Sequence, residues 1–152
     1  MPQRIIDTHV HTDNSPDGHH SAMYMCERAE MAGLRAIAFT DHVEADAYRR
    51  DHYDRVALQS FIDVTKARSA FCGKLLVCAG VELGQPMYDV KTAEEILSNL
   101  PYDMVIGSVH NFKDEQDFMY LDYSQWDITD LLNRYFDELI KLSRWAKFDT
   151  LA

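Results

Sequence analysis

Two histidines one residue apart, His9 and His11, close an apolar run that begins at Ile5 and Ile6. In a β-strand, side chains at i and i+2 share a face, so both imidazoles would project side by side at the strand end. Such a pair can bind one divalent metal. With seven histidines in 152 residues, one His-x-His pair also arises by chance, and a motif gains meaning only from its context. Here the context repeats. Ala36-Ile37-Ala38-Phe39 runs into Thr40-Asp41-His42, Leu75-Leu76-Val77-Cys78-Ala79 into Gly80-Val81-Glu82, and Met104-Val105-Ile106 into Gly107-Ser108-Val109-His110. Each apolar run ends in a side chain that can ligate a metal.

Short apolar runs separated by helical stretches read as parallel βα units. In such folds the site collects at the carboxyl ends of the strands. The turn-rich segment Thr12-Asp13-Asn14-Ser15-Pro16-Asp17-Gly18-His19-His20 follows the first pair of histidines. Asp17 could swing a carboxylate into the site, or simply cap a turn. His19 and His20 read as loop or helix-entry residues.

The remaining elements follow from periodicity. Residues 21–34 predict a helix whose narrow face is Ala22, Cys26, Ala29 and Gly33. Residues 43–54 are polar and read as a loop over the mouth of the site, where Arg49 or Arg50 could meet a phosphate but a solvated charge run is the commoner meaning. Residues 56–71 predict a helix with Leu58, Phe61, Ile62 and Thr65 inward. Thr92-Ala93-Glu94-Glu95 is a capping-box pattern for a short helix stopped by Pro101. Residues 111–126 form a long segment whose aromatic residues pack it. Residues 129–146 predict a helix buried along Leu132, Tyr135, Phe136, Leu139 and Leu142, and residues 148–152 open a fifth strand.

Composition narrows the function classes. A chain of 152 residues, 47% hydrophobic and 26% charged, suits one globular domain. A net charge of −10 disfavours a nucleic-acid surface but not a phosphorylated small molecule, because bound metals supply local positive charge. No apolar run approaches membrane-spanning length. Three cysteines, Cys26, Cys72 and Cys78, without C-x-x-C spacing, together with the lack of a secretory signal, imply reduced thiols and a cytoplasmic protein. Cys72 and Cys78 read as packing residues.

His9, His11, His42, Glu82 and His110 are more ligands than one tetrahedral metal uses, so two or more metals are expected, with Glu82 as a plausible bridge. Imidazole suits Zn or Fe and carboxylate suits Mn or Mg. Clustered divalent metals serve hydrolysis, best of all that of a phosphate ester.

The four strand-end motifs, in order, resemble those of the polymerase and histidinol phosphatase (PHP) superfamily. Residues 80–86 and 107–123 resemble its histidinol-phosphatase branch most closely. The resemblance implies an α/β fold, a distorted TIM-like (β/α)7 barrel, with up to three divalent metals (Zn, Mn or Fe) at its C-terminal face. It implies hydrolysis of L-histidinol phosphate to L-histidinol and phosphate, a late step of histidine biosynthesis. Carried over residue by residue, His9, His11 and Glu82 match ligands of the first metal. Glu82 and His110 match ligands of the second, with Glu82 bridging, and Asp17 and His42 match the third. Asp41 is given no more than a supporting role beside a ligand.

Members of the superfamily continue with a further histidine motif, a final Asp-x-His and phosphate-holding arginines. None of these is found up to Ala152, and a TIM-type barrel takes roughly 250 residues. Residues 1–152 are therefore expected to be the N-terminal portion of a single PHP domain. Its open edge would pair with a second copy or belong to a longer protein, and its activity would fall below that of a fuller chain. Two rival readings are another PHP phosphoesterase, acting on phosphotyrosine, a nucleotide or a nucleic-acid end, and a metal-binding remnant without turnover.

Overall fold

A computed structural model describes residues 5–152. Strands β1 (Ile6–Val10), β2 (Ala36–Phe39), β3 (His42–Glu44), β4 (Leu76–Gly84), β5 (Met104–Ser108) and β6 (Thr150–Leu151) share the chain with helices α1 (Ala22–Met31), α2 (Tyr53–Ala70), α3 (Val90–Asn99) and α4 (Ile128–Trp145). The strands pair in parallel in the order β1-β2-β4-β5-β6, and β3 lies beside the second half of β4. The alternation of βα units expected from the sequence is therefore present. β6 is the strand that residues 148–152 were expected to open, and it pairs with β5.

β4 is the axis of the molecule. It is long enough to pair first with β2 and then with β3, so its flanks carry two hydrophobic clusters. The first joins Val10, Cys26, Ile37, Phe39, Val64, Val77 and Ala79. The second joins Val43, Tyr48, Val81, Leu83, Ala93 and Ile96. A strand covered on both faces must be apolar almost throughout. Glu82, 3% exposed, is the exception.

Several helix details depart from the periodicity reading. The buried face of α2 is Ala57, Ser60, Val64 and Ala67, while Leu58 and Ile62 are exposed. Small residues let α2 lie close to β4, and Leu58 and Ile62 turn outward, while Phe61 packs against the first cluster as expected. In α4 the buried positions are Leu131 and Leu142, while Leu132 and Phe136 are exposed. The expected stripe holds at Leu142, with Tyr135 and Leu139 half-buried, and is out by one residue, about 100° on a helix, at its start. α3 is capped not by Thr92 but by Asp89, whose carboxylate accepts from the Thr92 amide at 3.0 Å. Cys72 is exposed rather than packed. Residues 43–54 are not simply a loop: they supply β3, and Val43, Ala45, Ala47 and Tyr48 are buried. In the aromatic segment Phe112 packs against Phe118 at 4.9 Å and Phe118 against Tyr135 at 5.6 Å between ring centroids, while Tyr120 and Tyr123, also expected to pack it, are exposed.

Candidate metal centre

The site lies at the carboxyl ends of β1, β2, β4 and β5 and along the short β3, which opens at His42. Parallel register places His42 directly beside Glu82, and Ser108 beside Gly84. Two residues past Ser108 the chain delivers His110. β1 contributes from its own end, where the register with β2 shifts between Asp7 and Val10. Such an irregularity re-aims side chains, and both His9 and His11 reach Glu82 across it.

Glu82 is the centre of the arrangement. Its Oε2 lies 3.1 Å from His9 Nε2, 2.9 Å from His11 Nε2 and 3.4 Å from His42 Nδ1. Its Oε1 lies 3.0 Å from His110 Nε2 and accepts from Ser108 Oγ at 2.6 Å. Burial alone would push its carboxyl up. Hydrogen bonds from His11, His110 and Ser108 and the charge of His42 outweigh that and hold it well below the usual carboxylate range. The reciprocal effect falls on the rings. Burial opposes the charge on His110, yet Glu44 and Glu82 raise it to about 10. Burial likewise opposes the charge on His11, and Glu82 and Asp17 raise it.

Asp17 enters from the β1–α1 loop. Its carboxylate lies 3.0 Å from His11 Nδ1 and 3.6 Å from His42 Nε2. The loop is held by Asp41, which is 2% exposed. Asp41 accepts from the Thr12 amide at 2.6 Å, Thr12 Oγ1 at 2.8 Å, Ser15 Oγ at 2.7 Å and Ser60 Oγ at 2.5 Å. Ser15 Oγ in turn accepts from the His42 amide at 3.0 Å. The loop closes so tightly that a Cβ at Gly18 would overlap the Thr12 carbonyl oxygen. Asp41 thus ties the loop bearing Asp17 to the strand bearing His42 and to α2.

All six residues singled out from the sequence, His9, His11, Asp17, His42, Glu82 and His110, come together. They form three overlapping groups: His9, His11 and Glu82; His11, Asp17 and His42; and His42, Glu82 and His110. Within each group the candidate donor atoms lie within 4.8 Å of one another. The first group is the triplet carried over for one metal. In the other two, His11 joins Asp17 and His42, and His42 joins Glu82 and His110.

The donor set fits divalent cations. His9 Nε2 and His11 Nε2 face each other at 3.1 Å, so at most one proton can lie between them. His42 Nδ1 is buried without a hydrogen-bond partner. Buried nitrogen lone pairs directed at one carboxylate are what a shared cation requires.

Glu44, at the end of β3, was read from the sequence only as part of a polar loop, yet its Oε1 lies 3.0 Å from His110 Nδ1 and 3.4 Å from His42 Nδ1. Its place two residues after His42 on a strand was the only available signal. Arg49 and Arg50 do not turn toward the cluster. Arg49 pairs with Glu95, and Arg50 with Asp51 at 2.9 Å. His20 lies against Tyr24 with ring centroids 4.7 Å apart and the rings tilted by 50°, as a helix-entry residue would.

Known proteins are similar to this chain in sequence or fold. A probable histidinol-phosphatase of Deinococcus radiodurans is 26% identical over 158 residues, covering 97% of this chain and 59% of that protein. The histidinol-phosphatase of Lactococcus lactis subsp. lactis (strain IL1403) is 25% identical over 109 residues, covering 72% of this chain and 40% of that protein. The chain therefore spans about three fifths of the first relative's length. The crystal structure of histidinol phosphate phosphatase from Lactococcus lactis subsp. lactis IL1403, complexed with zinc, L-histidinol and phosphate, superposes with a TM-score of 0.75 at 19% identity. The match covers 97% of this chain and 56% of that one. The parallel sheet and its helices thus correspond to part of a TIM-like barrel. A family model described as PHP domain matches residues 7–152. With that match over nearly its whole length, the chain belongs to the PHP family.

Proposed function

We propose that this chain is a single PHP domain acting as a metal-dependent phosphoesterase of the histidinol-phosphatase type, with L-histidinol phosphate as substrate. The observation that carries the reading is the cluster of three overlapping donor groups, two of which share the buried Glu82. His9, His11 and Glu82 would hold one cation, Glu82 and His110 a second, and Asp17 and His42 a third, with Zn, Mn or Fe as the candidates. When bound, such cations lower the pKa of water and offset the charge of phosphate oxygens.

The protein's own groups supply the frame. Glu82 keeps its negative charge although buried, because four imidazoles and Ser108 surround it. Asp41 holds the Asp17 loop against His42. In the overall reaction water adds to phosphorus, the ester P–O bond breaks, and the leaving alcohol takes a proton, giving L-histidinol and phosphate. Nucleic acid is not an expected partner of so acidic a chain. Among the described residues no helix is long and apolar enough to cross a membrane. The unpaired Cys26, Cys72 and Cys78 fit a reducing, cytoplasmic setting.

Phosphate release from L-histidinol phosphate, compared with phosphotyrosine and a nucleoside monophosphate in the presence of Mn or Zn, tests this reading. Preferred turnover of L-histidinol phosphate is expected. Preference for another ester would reassign the substrate. Metal binding without release from any ester would favour a chain that binds cations only, a reading supported by the pairing of Arg49 and Arg50 with acids rather than with the site.

A further inference from the structure

We propose that Glu44 is a positioning residue for this centre: it fixes the tautomer and ring orientation of His110, so that Nε2 offers its lone pair to the cation shared with Glu82. The inference rests on the metal-centre reading above.

Glu44 lies in register with Gly84 across the β3–β4 pair. Its Oε1 is 3.0 Å from His110 Nδ1, while the opposite ring nitrogen, Nε2, is 3.0 Å from Glu82 Oε1. An imidazole that donates Nδ1–H to a carboxylate keeps its lone pair on Nε2. Glu44 itself lies outside all three compact donor groups, so it acts on the centre through the ring.

The surroundings are built for this carboxylate. A Cβ at position 84 would overlap the Glu44 carboxylate, so glycine there is what admits it. The next residue, Gln85, has φ 49, a left-handed backbone uncommon for a side-chain-bearing residue. That conformation turns its amide back onto the pair. The Gln85 amide lies between Glu44 Oε2 and Asn111, and its nitrogen donates to Asn111 Oδ1. Rotated by half a turn, the nitrogen would donate to Glu44 Oε2 and the oxygen would face the backbone N–H groups of His110 and Asn111 at 3.2 Å each. Gln85 therefore braces the carboxylate and the start of the His110 segment together. A local strain of this kind persists where the surrounding structure over-determines it.

The test uses the 152-residue chain, stripped with chelator and titrated with zinc alone against a chromophoric competitor. Long-range ¹H–¹⁵N spectra of histidine-labelled protein report the state of each ring nitrogen. In the unaltered chain His110 should show a protonated Nδ1 and a zinc-bound Nε2. Glu44→Ala should lower the affinity for one zinc by about 10–100-fold, with stoichiometry unchanged at saturation, and should abolish the fixed Nδ1–H signature. Glu44→Gln keeps an acceptor oxygen and should retain that signature with a smaller loss. The thermal midpoint of each stripped variant separates a folding defect from a ligand defect.

Glu44→Ala with unchanged zinc affinity and unchanged His110 spectra would overturn the assignment, as would outright loss of one zinc equivalent, which would make Glu44 a ligand. If the alanine variant does not fold, Glu44→Gln decides: a retained Nδ1–H supports the assignment and its loss refutes it. An unaltered chain that takes up no zinc refutes the metal-centre reading itself, independently of Glu44.

Discussion

Two buried carboxylates stand near each other at the strand ends, and their surroundings differ in kind. Asp41 is enclosed by one amide and three hydroxyls, which donate in any protonation state of the site. Glu82 is enclosed by four imidazoles and one hydroxyl. An imidazole either donates a proton or offers a lone pair, so the Glu82 pocket can exchange protons for a cation and the Asp41 pocket cannot. Burial alone therefore does not distinguish a structural acid from a ligand. The partners do.

The largest effect that can break this comparison is expected from Glu82→Gln. Removing a charge shared by two of the three donor groups should lower metal content by roughly 10²-fold or more, taking any phosphatase activity with it. Elemental analysis of the purified variant measures this. Near-normal metal content would mean that Glu82 is not the shared donor.

Asp41→Asn should act the other way. The amide nitrogen would confront donors that now meet an acceptor, and the stripped chain should lose about 2–4 kcal/mol of stability in urea unfolding. Wherever it still folds it should keep the zinc of the His9–His11–Glu82 group. Loss of that zinc without loss of stability would invert the roles of the two acids.

Removing metal sharpens the contrast further. Cations bound to the native state at about 100 times their Kd would add ~2.7 kcal/mol. For a domain of this size that is roughly 5–10 °C in Tm. Chelator should abolish the increment in the unaltered chain, and Glu82→Gln should lack it from the start. Asp17→Asn should be milder than Glu82→Gln, because Asp17 is half exposed on a loop and serves only the group with His11 and His42. Equal metal loss from both variants would remove the bridging role from Glu82.

The remaining test is one of pH. In the metal-free chain His110 is raised to about 10, so below that pH its ring carries a proton that zinc must displace. The folded-state value lies above the ordinary ~6.5. The Glu44–His110–Glu82 pairing thus stabilises the stripped chain fully below pH ~6.5 and is lost as pH rises through about 10. Zinc affinity should therefore climb across that window, by up to about tenfold per pH unit for each proton displaced. A flat affinity profile from pH 6.5 to 10 would show that no such proton is displaced.

The sequence by itself determined the strand ends and what they carry. Apolar runs ending in His9-Val10-His11, Thr40-Asp41-His42, Gly80-Val81-Glu82 and Gly107-Ser108-Val109-His110 are local signals. Parallel βα alternation sends every such end to the same side, so the convergence of His9, His11, His42, Glu82 and His110 was legible without coordinates, whereas Asp17, in a turn, was added only by the family resemblance. Tertiary structure alone decided which polar residues support them. Ser60 reaches Asp41 from the second helix, and Glu44 reaches His110 across a gap that glycine at position 84 leaves open. Neither pairing has a periodicity or a spacing to announce it. The helix faces were decided there too. Periodicity placed Leu142 in the core, but at the start of the helix one residue decides, and Leu131 is buried while Leu132 faces out. The residues that do the chemistry are named by strand-end position, a property of the local chain. The residues that hold them are named by register and close approach, which exist only once distant segments pack.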